Sequence, residues 1–209
     1  VPFQDQALPL PIWCATDRLA AWRSAVSGTL DGQGAPAQCA DPLDRNLAYL
    51  GLVETLTGYP IDGVVLTTGC DKTTPAALMA AATANIPAIV LSGGPMLNGW
   101  HDGQRTGTGT TLFKARELFA KGSIDFPGYI DLVGSTVPSI GHCNVMGTAS
   151  TMTAIAEAIG MTLPGASSIP AADANHIRMA SECGRRIVEM VWEDLTPKTI
   201  QTRKAFENA

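Results

Sequence analysis

Apolar residues along this chain fall into two kinds of run. Leu43, Leu47 and Leu50 recur at helical spacing, and Leu52, Val53 and Leu56 widen the stripe, so a helix is expected from Asp41 to Gly58. Asp41-Pro42-Leu43-Asp44 marks its start, with an acidic cap, proline at the first helical position and an acid in the first turn. Residues 63–68 (GVVLTT) are different: a short, β-branched apolar run that predicts a buried strand. A second such run, 88–91 (AIVL), enters the glycine turn Ser92-Gly93-Gly94-Pro95. Between the two, Thr74-Pro75 starts an alanine-rich helix that stops at Asn85 and Pro87. Further helices are expected at 111–121, 149–160 and 173–195, the last closed by Pro197, and another begins near Arg203. Strand, helix, strand, helix in that order predicts an α/β fold, a parallel β-sheet flanked by helices.

Residues 1–40 read differently from the rest. Pro9, Pro11, Trp13, Cys14, Trp22 and Cys39 punctuate an irregular stretch in which only 17–26 suggest a short helix. The domain reading is therefore an irregular segment, 1–40, followed by an α/β body, 41–209.

Composition narrows the function classes. The chain has 209 residues, a formal net charge of −5 and no Lys/Arg cluster, which argues against nucleic acid or an anionic membrane as partner. No run is long and apolar enough for a membrane span, and no signal-peptide pattern opens the sequence. Five widely spaced cysteines are an odd number, so reduced thiols, some of them metal ligands, are expected in a cytoplasmic setting.

In a parallel α/β sheet, ligands gather beyond the carboxyl ends of the strands. Three segments fall there. Gly69-Cys70-Asp71-Lys72 lies between the first strand and the next helix, where unpaired amides and the helix dipole favour thiolate and carboxylate. Thiolate suits iron or zinc, and carboxylate suits Mg²⁺. The segment from Ser139 to Met152 again puts a cysteine, Cys143, in a glycine-rich turn before a helix, next to His142. Ser92-Gly93-Gly94 could present backbone amides to an anion. Taken singly, each segment has a plainer reading. A cysteine after a strand is more often a buried, inert residue, Asp71 a helix cap, Lys72 a surface charge and His142 a hydrogen-bonded loop residue.

Taken together, the segments carry more. Gly69-Cys70-Asp71-Lys72-Thr73-Thr74-Pro75-Ala76, Ser92-Gly93-Gly94-Pro95-Met96-Leu97-Asn98-Gly99 and Gly141-His142-Cys143-Asn144-Val145-Met146-Gly147-Thr148-Ala149-Ser150-Thr151-Met152 closely resemble the dihydroxy-acid and sugar-acid dehydratases, iron–sulfur enzymes. Leu43-Asp44-Arg45-Asn46-Leu47, Leu163-Pro164-Gly165, Arg185-Arg186-Ile187-Val188-Glu189 and Leu195-Thr196-Pro197 extend the match in order, and the wording is most like the pentonate (xylonate) branch. The resemblance spans 41–209.

It implies part of the family's N-terminal α/β domain, with the second, β-rich domain absent from this chain. It also implies a hydro-lyase that removes water from a 2,3-dihydroxy acid to give a 2-keto-3-deoxy acid, using a [2Fe–2S] cluster and Mg²⁺. By matching position, Cys70 and Cys143 would hold the cluster, Asp71 and a carbamylated Lys72 would hold Mg²⁺, and Ser92, Gly93 and Gly94 would meet a small sugar-acid substrate. A family-like homo-oligomer is also implied.

Three departures qualify this. The family's first cluster cysteine has no counterpart in register, Cys39 and Cys14 being out of place. The family's metal-binding glutamate falls near Gly34, where no acid stands. The catalytic serine belongs to the second domain. The expectation is therefore little turnover by this chain alone, as from a truncated or frame-shifted product. The alternative is a non-catalytic module that binds a sugar acid or oligomerises. A zinc or thiol-redox protein using Cys39, Cys70 and Cys143 is a third reading, weakened by the lack of any CxxC pair.

Overall fold

The computed structural model describes residues 35–209, Asp71 excepted. Its elements are α1 (Ala35–Gly58), β1 (Val64–Thr68), α2 (Thr73–Ala84), β2 (Ala88–Ser92), β3 (Gly99–His101), β4 (Gln104–Thr106), α3 (Thr110–Ala120), α4 (Phe126–Gly134), α5 (Thr148–Ile159), α6 (Ala174–Trp192), α7 (Pro197–Ile200) and α8 (Arg203–Asn208). None of the described helices is long and apolar enough to cross a membrane.

β1 and β2 pair in parallel, in a register running from Val64 opposite Ala88 to Thr68 opposite Ser92. The strand period of two sorts their side chains onto two faces. Val64, Leu66, Ala88 and Val90 face α1, α2 and α5 and share one core with Leu52, Leu56, Leu78 and Ile159. On the opposite face Ile89 packs against Cys183, Ile187 and Met190 of α6, with Val65 and Leu91 beside them. The result is helices, sheet, helix, which is why both strands read as continuous apolar runs rather than alternating ones. Leu66 is wholly enclosed, a burial that stabilises the fold by roughly 1.5–3 kcal/mol. The segment after α5 also joins the sheet, because the Val90 amide donates to the Met161 carbonyl at 2.8 Å.

The parallel pair, α2, α3, α5 and α8 lie where the sequence pattern puts them, to within a residue at the starts. Three expectations need correction. α1 does not begin at Asp41; it begins at Ala35. Pro36 falls in its first turn, where a missing N–H costs little, and the alanines that follow favour helix. The leucine stripe of α1 is also misassigned. Leu43, Leu47 and Leu50 are exposed, while Ala48, Leu52, Thr55 and Leu56 are buried. Both sets have helical spacing, but only the second packs against α2, with Tyr49 and Val53 at its margin. Finally, α6 ends at Trp192. Pro197 does not close it; it is a buried residue in the first turn of α7.

The β3–β4 hairpin and α4 were not expected. Asp102 and Gly103 both take positive φ, 47° and 71°, at the hairpin tip. Asp-Gly is the residue pair that such a two-residue turn requires. α4 is capped by Asp125, whose carboxylate accepts from the Gly128 amide at 2.9 Å.

Candidate functional site

The carboxyl ends of β1 and β2 fix the position of all three motif segments. Gly93 donates its amide to the Thr68 carbonyl at 2.7 Å, tying the two strand ends together. Cys70 follows two residues after Thr68 and is exposed. The turn that carries it is held locally. The Thr73 hydroxyl accepts from the Gly69 amide at 3.1 Å and the Cys70 amide at 3.0 Å, and the Thr74 hydroxyl donates to the Cys70 carbonyl at 3.0 Å. Lys72 occupies the N-cap of α2 with a helical backbone and is half-buried.

Cys143 reaches the same edge by another route. His142 forms a parallel bridge with Pro95. Its amide donates to the Gly94 carbonyl and its carbonyl accepts from the Met96 amide, both at 2.9 Å. The loop therefore runs alongside the continuation of β2, and Cys143 emerges past the carboxyl ends of the strands, as Cys70 does. Gly141 permits this approach. Its φ is +132°, and a Cβ there would lie 2.5 Å from the Met96 nitrogen. A hydroxyl from a distant segment, Thr108 Oγ1, contacts the half-buried Cys143 sulfur. The Asn144 side chain ties in two further segments, accepting from the Thr108 amide at 3.1 Å and donating to the Leu97 carbonyl at 3.0 Å.

The Ser92-Gly93-Gly94 turn sits between the two cysteine segments, but its polar groups are engaged within the fold. Ser92 Oγ is buried, lies 3.2 Å from Thr153 Oγ1 and accepts from the Gly94 amide at 3.3 Å. The Gly93 amide is bonded to Thr68. Gly94 has φ +77°, and a Cβ there would meet the Ile169 carbonyl oxygen at 2.5 Å. The turn thus offers small size and close packing at the strand ends rather than an open cradle of amides. His176, at the start of α6, adds a contact that sequence reasoning missed, since Nε2 donates to the Ser92 carbonyl at 2.7 Å. Thr108 was missed for the same reason. No local pattern marks a partner 35 or 84 residues away.

Two features of this edge bear on a bound group. Among the described residues, three buried side-chain polar atoms have no hydrogen-bond partner, and two of them, Thr68 Oγ1 and His142 Nε2, are on it. His142 Nδ1 lies 3.0 Å from the Cys143 carbonyl. A carbonyl can only accept, so Nδ1 carries the proton and a neutral ring leaves Nε2 as a bare acceptor. Buried polar atoms are normally satisfied, so these two call for a partner, an ordered water or a bound group. The second feature is a cleft of about 390 Å³ beside the Cys143 loop, lined by Pro95, Met96, Asn98, Asn144, Met146 and Ser150 among others. It lies within the range of small-molecule sites.

The donor set fits a soft metal group in part. Two thiols come to one edge, yet among the described residues no three His, Cys, Asp or Glu side chains assemble as a ligand set. Asp71, Cys14 and the side chain of Cys39 lie outside the described residues. Cys183 is a contrast. It is fully enclosed on the sheet-facing side of α6, and burial, with the Glu182 charge adding to it, pushes its thiol up to about 11. That describes an inert core cysteine.

Comparison with known proteins gives a consistent picture. The model of the dihydroxy-acid/6-phosphogluconate dehydratase N-terminal domain matches residues 21–209, twenty residues ahead of the Asp41 start drawn from the motifs. A D-xylonate dehydratase of Caulobacter vibrioides is 59% identical over 167 residues, covering 80% of this chain and 28% of that protein. An L-arabinonate dehydratase of Rhizobium leguminosarum bv. trifolii is 50% identical over 165 residues, 79% of this chain and 28% of its own length. A dihydroxy-acid dehydratase of Caldanaerobacter subterraneus is 45% identical over 151 residues, with 72% and 27% covered. The chain thus spans a little over a quarter of the curated relatives it matches.

Proposed function

This chain belongs to the dihydroxy-acid/6-phosphogluconate dehydratase family, and from that premise we propose that it builds the metal- and substrate-facing edge of a sugar-acid dehydratase. The reaction is loss of water from a 2,3-dihydroxy acid of the pentonate type, giving a 2-keto-3-deoxy acid. The observation that supports this reading is that the Cys70 turn follows the end of β1 and the Cys143 loop runs beside the continuation of β2, so that both motif segments lie beyond the carboxyl ends of the two parallel strands. The substrate class is supported by relatives named for xylonate and arabinonate that are more nearly identical to this chain than one named for dihydroxy acids.

Cys70 and Cys143 would hold a [2Fe–2S] cluster, and Asp71 with a carbamylated Lys72 would hold Mg²⁺. When bound, these groups supply an electrophile for the departing hydroxide and a hard cation that neutralises the carboxylate next to C2. The protein's own part is placement. The Cys70 and Cys143 turns set two sulfurs at one edge, and carbamylation converts Lys72 from a repelling cation into an oxygen donor. The cleft lined by Asn98 and Asn144 beside the Cys143 loop would take the small acid, and the closely packed Ser92-Gly93-Gly94 turn leads into its Pro95–Asn98 wall. A cytoplasmic setting, where thiols stay reduced, suits this chemistry.

The test is anaerobic reconstitution of the 209-residue polypeptide with iron and sulfide. With only two of the three cluster thiols in register, the expected result is weak sulfur-to-iron charge-transfer absorption rather than that of a full cluster, lost in both Cys70→Ser and Cys143→Ser, with pentonate binding strengthened by Mg²⁺. Absorption that survives both substitutions, or no iron uptake at all, would contradict the assignment.

A further inference from the structure

Thr108 touches a motif cysteine from a segment that none of the motifs contains. It sits between β4 and α3, flanked by Gly107 and Gly109, and its hydroxyl contacts Cys143 Sγ. The same hydroxyl lies 3.4 Å from Asn144 Oδ1. Its amide donates to Asn144 Oδ1 at 3.1 Å, which fixes the backbone from which the hydroxyl reaches. The Gly107 amide donates to Thr111 Oγ1 at 3.1 Å, bracing the segment from its other side. The threonine is therefore anchored independently of the sulfur it meets.

We propose that Thr108 is a positioning residue for Cys143, holding the sulfur in the orientation in which it serves as a metal ligand. This rests on the reading of Cys143 as a ligand. A thiolate has no proton to give, so in the ligating state the hydroxyl donates and the sulfur accepts. Such a bond selects one side-chain rotamer and draws electron density from the sulfur. Hydrogen bonds to ligating sulfurs are one of the means by which a protein sets the electronic properties of an iron–sulfur centre.

The test uses the metal-free chain first, so that it does not depend on the ligand reading. The Raman S–H stretching band of Cys143 is assigned by its loss in Cys143→Ala. Thr108→Val, which keeps the shape and removes the hydroxyl, is expected to move that band, and Thr108→Ser to leave it in place. A band unmoved in Thr108→Val, or moved equally in Thr108→Ser, overturns the proposal. The band of Cys183, enclosed in the core, reports whether each variant is folded. Should Thr108→Val disturb it, Thr108→Ala replaces it in the comparison. Co²⁺ loading then reads the second half: the thiolate-to-cobalt band of Thr108→Val is expected at lower energy than in the parent and in Thr108→Ser, and an unshifted band overturns the electronic role. Failure to take up Co²⁺ would refute the role at a metal and the ligand reading together, while the Raman result still decides the contact.

Discussion

The turn carrying Cys70 is held by bonds that reach three or four residues along the chain, through Thr73 and Thr74. The turn carrying Cys143 is held by contacts from Gly94, Met96 and Thr108, the nearest of them 35 residues away. Both end at the same sheet edge with a cysteine ahead of a helix. The difference is in what keeps them there. The first is a strand-to-helix corner that closes on itself. The second stays in place only while the hairpin segment, the β2 extension and the loop before α5 are packed together. A local corner should tolerate damage elsewhere, and a loop assembled from distant pieces should not.

Substitutions can break that contrast, and the largest effect is expected at Gly141. Gly141→Ala puts a side chain at φ +132° against the Pro95–Met96 backbone, a strain on the order of 3 kcal/mol. Urea unfolding should show that loss, and Cys143 should lose its contact with Thr108 while the Cys70 corner keeps its amide protection from hydrogen exchange. Equal loss of protection in both turns would make them one unit.

Thr73→Val is the reciprocal change. It removes the acceptor for the Gly69 and Cys70 amides and should cost about 1–2 kcal/mol, as the loss of a helix-capping side chain does. The loss of exchange protection should stay within residues 69–74, and Thr73→Ser should restore it. Spread to the Cys143 loop would contradict the local character of the first turn.

The smallest effect is expected at Glu157, near the far end of α5. Burial alone would raise its pKa, but hydrogen bonds from the Ser167 side chain and from the Gly165 and Ser167 amides outweigh this and hold it below the ordinary glutamate range. A lowered folded-state pKa means stability that is fully present above the unfolded value and lost as pH falls through the folded one. The carboxylate is partly exposed, so solvent screening keeps the contribution under about 1 kcal/mol. Glu157→Gln should therefore be slightly less stable than the parent at neutral pH, with the gap closing on acidification. A gap that widens in acid would reverse the sign.

How much of this was legible in the sequence follows the same division. The two strands, α2 and the Cys70 corner could be read because their determinants are local: β-branched runs, Thr-Pro at a helix start, Asn85 at its end with φ 51°. The Asp102-Gly103 hairpin carried its own signal in the residue pair and was missed only because no strand pattern flanks it. α1 misled because its two leucine-bearing faces have the same spacing, and periodicity cannot say which one finds a partner. That choice belongs to tertiary packing, which buries Leu52 and Leu56 and leaves Leu43 and Leu47 exposed. The motif residues announced the site by type, but the engagement of Ser92 and Gly93 inside the fold could not be read, because it depends on Thr153 and Thr68 arriving from other elements. Thr108 and His176 were invisible on the same grounds.

Shared ligation of one metal by Cys70 and Cys143 is measured most directly by X-ray absorption on the chain loaded with a single Zn²⁺. Two sulfur scatterers at about 2.3 Å are expected in the parent, falling to one in Cys70→Ser and to one in Cys143→Ser. A single sulfur in the parent, or a count unchanged by either substitution, would contradict the placement of both thiols at one centre.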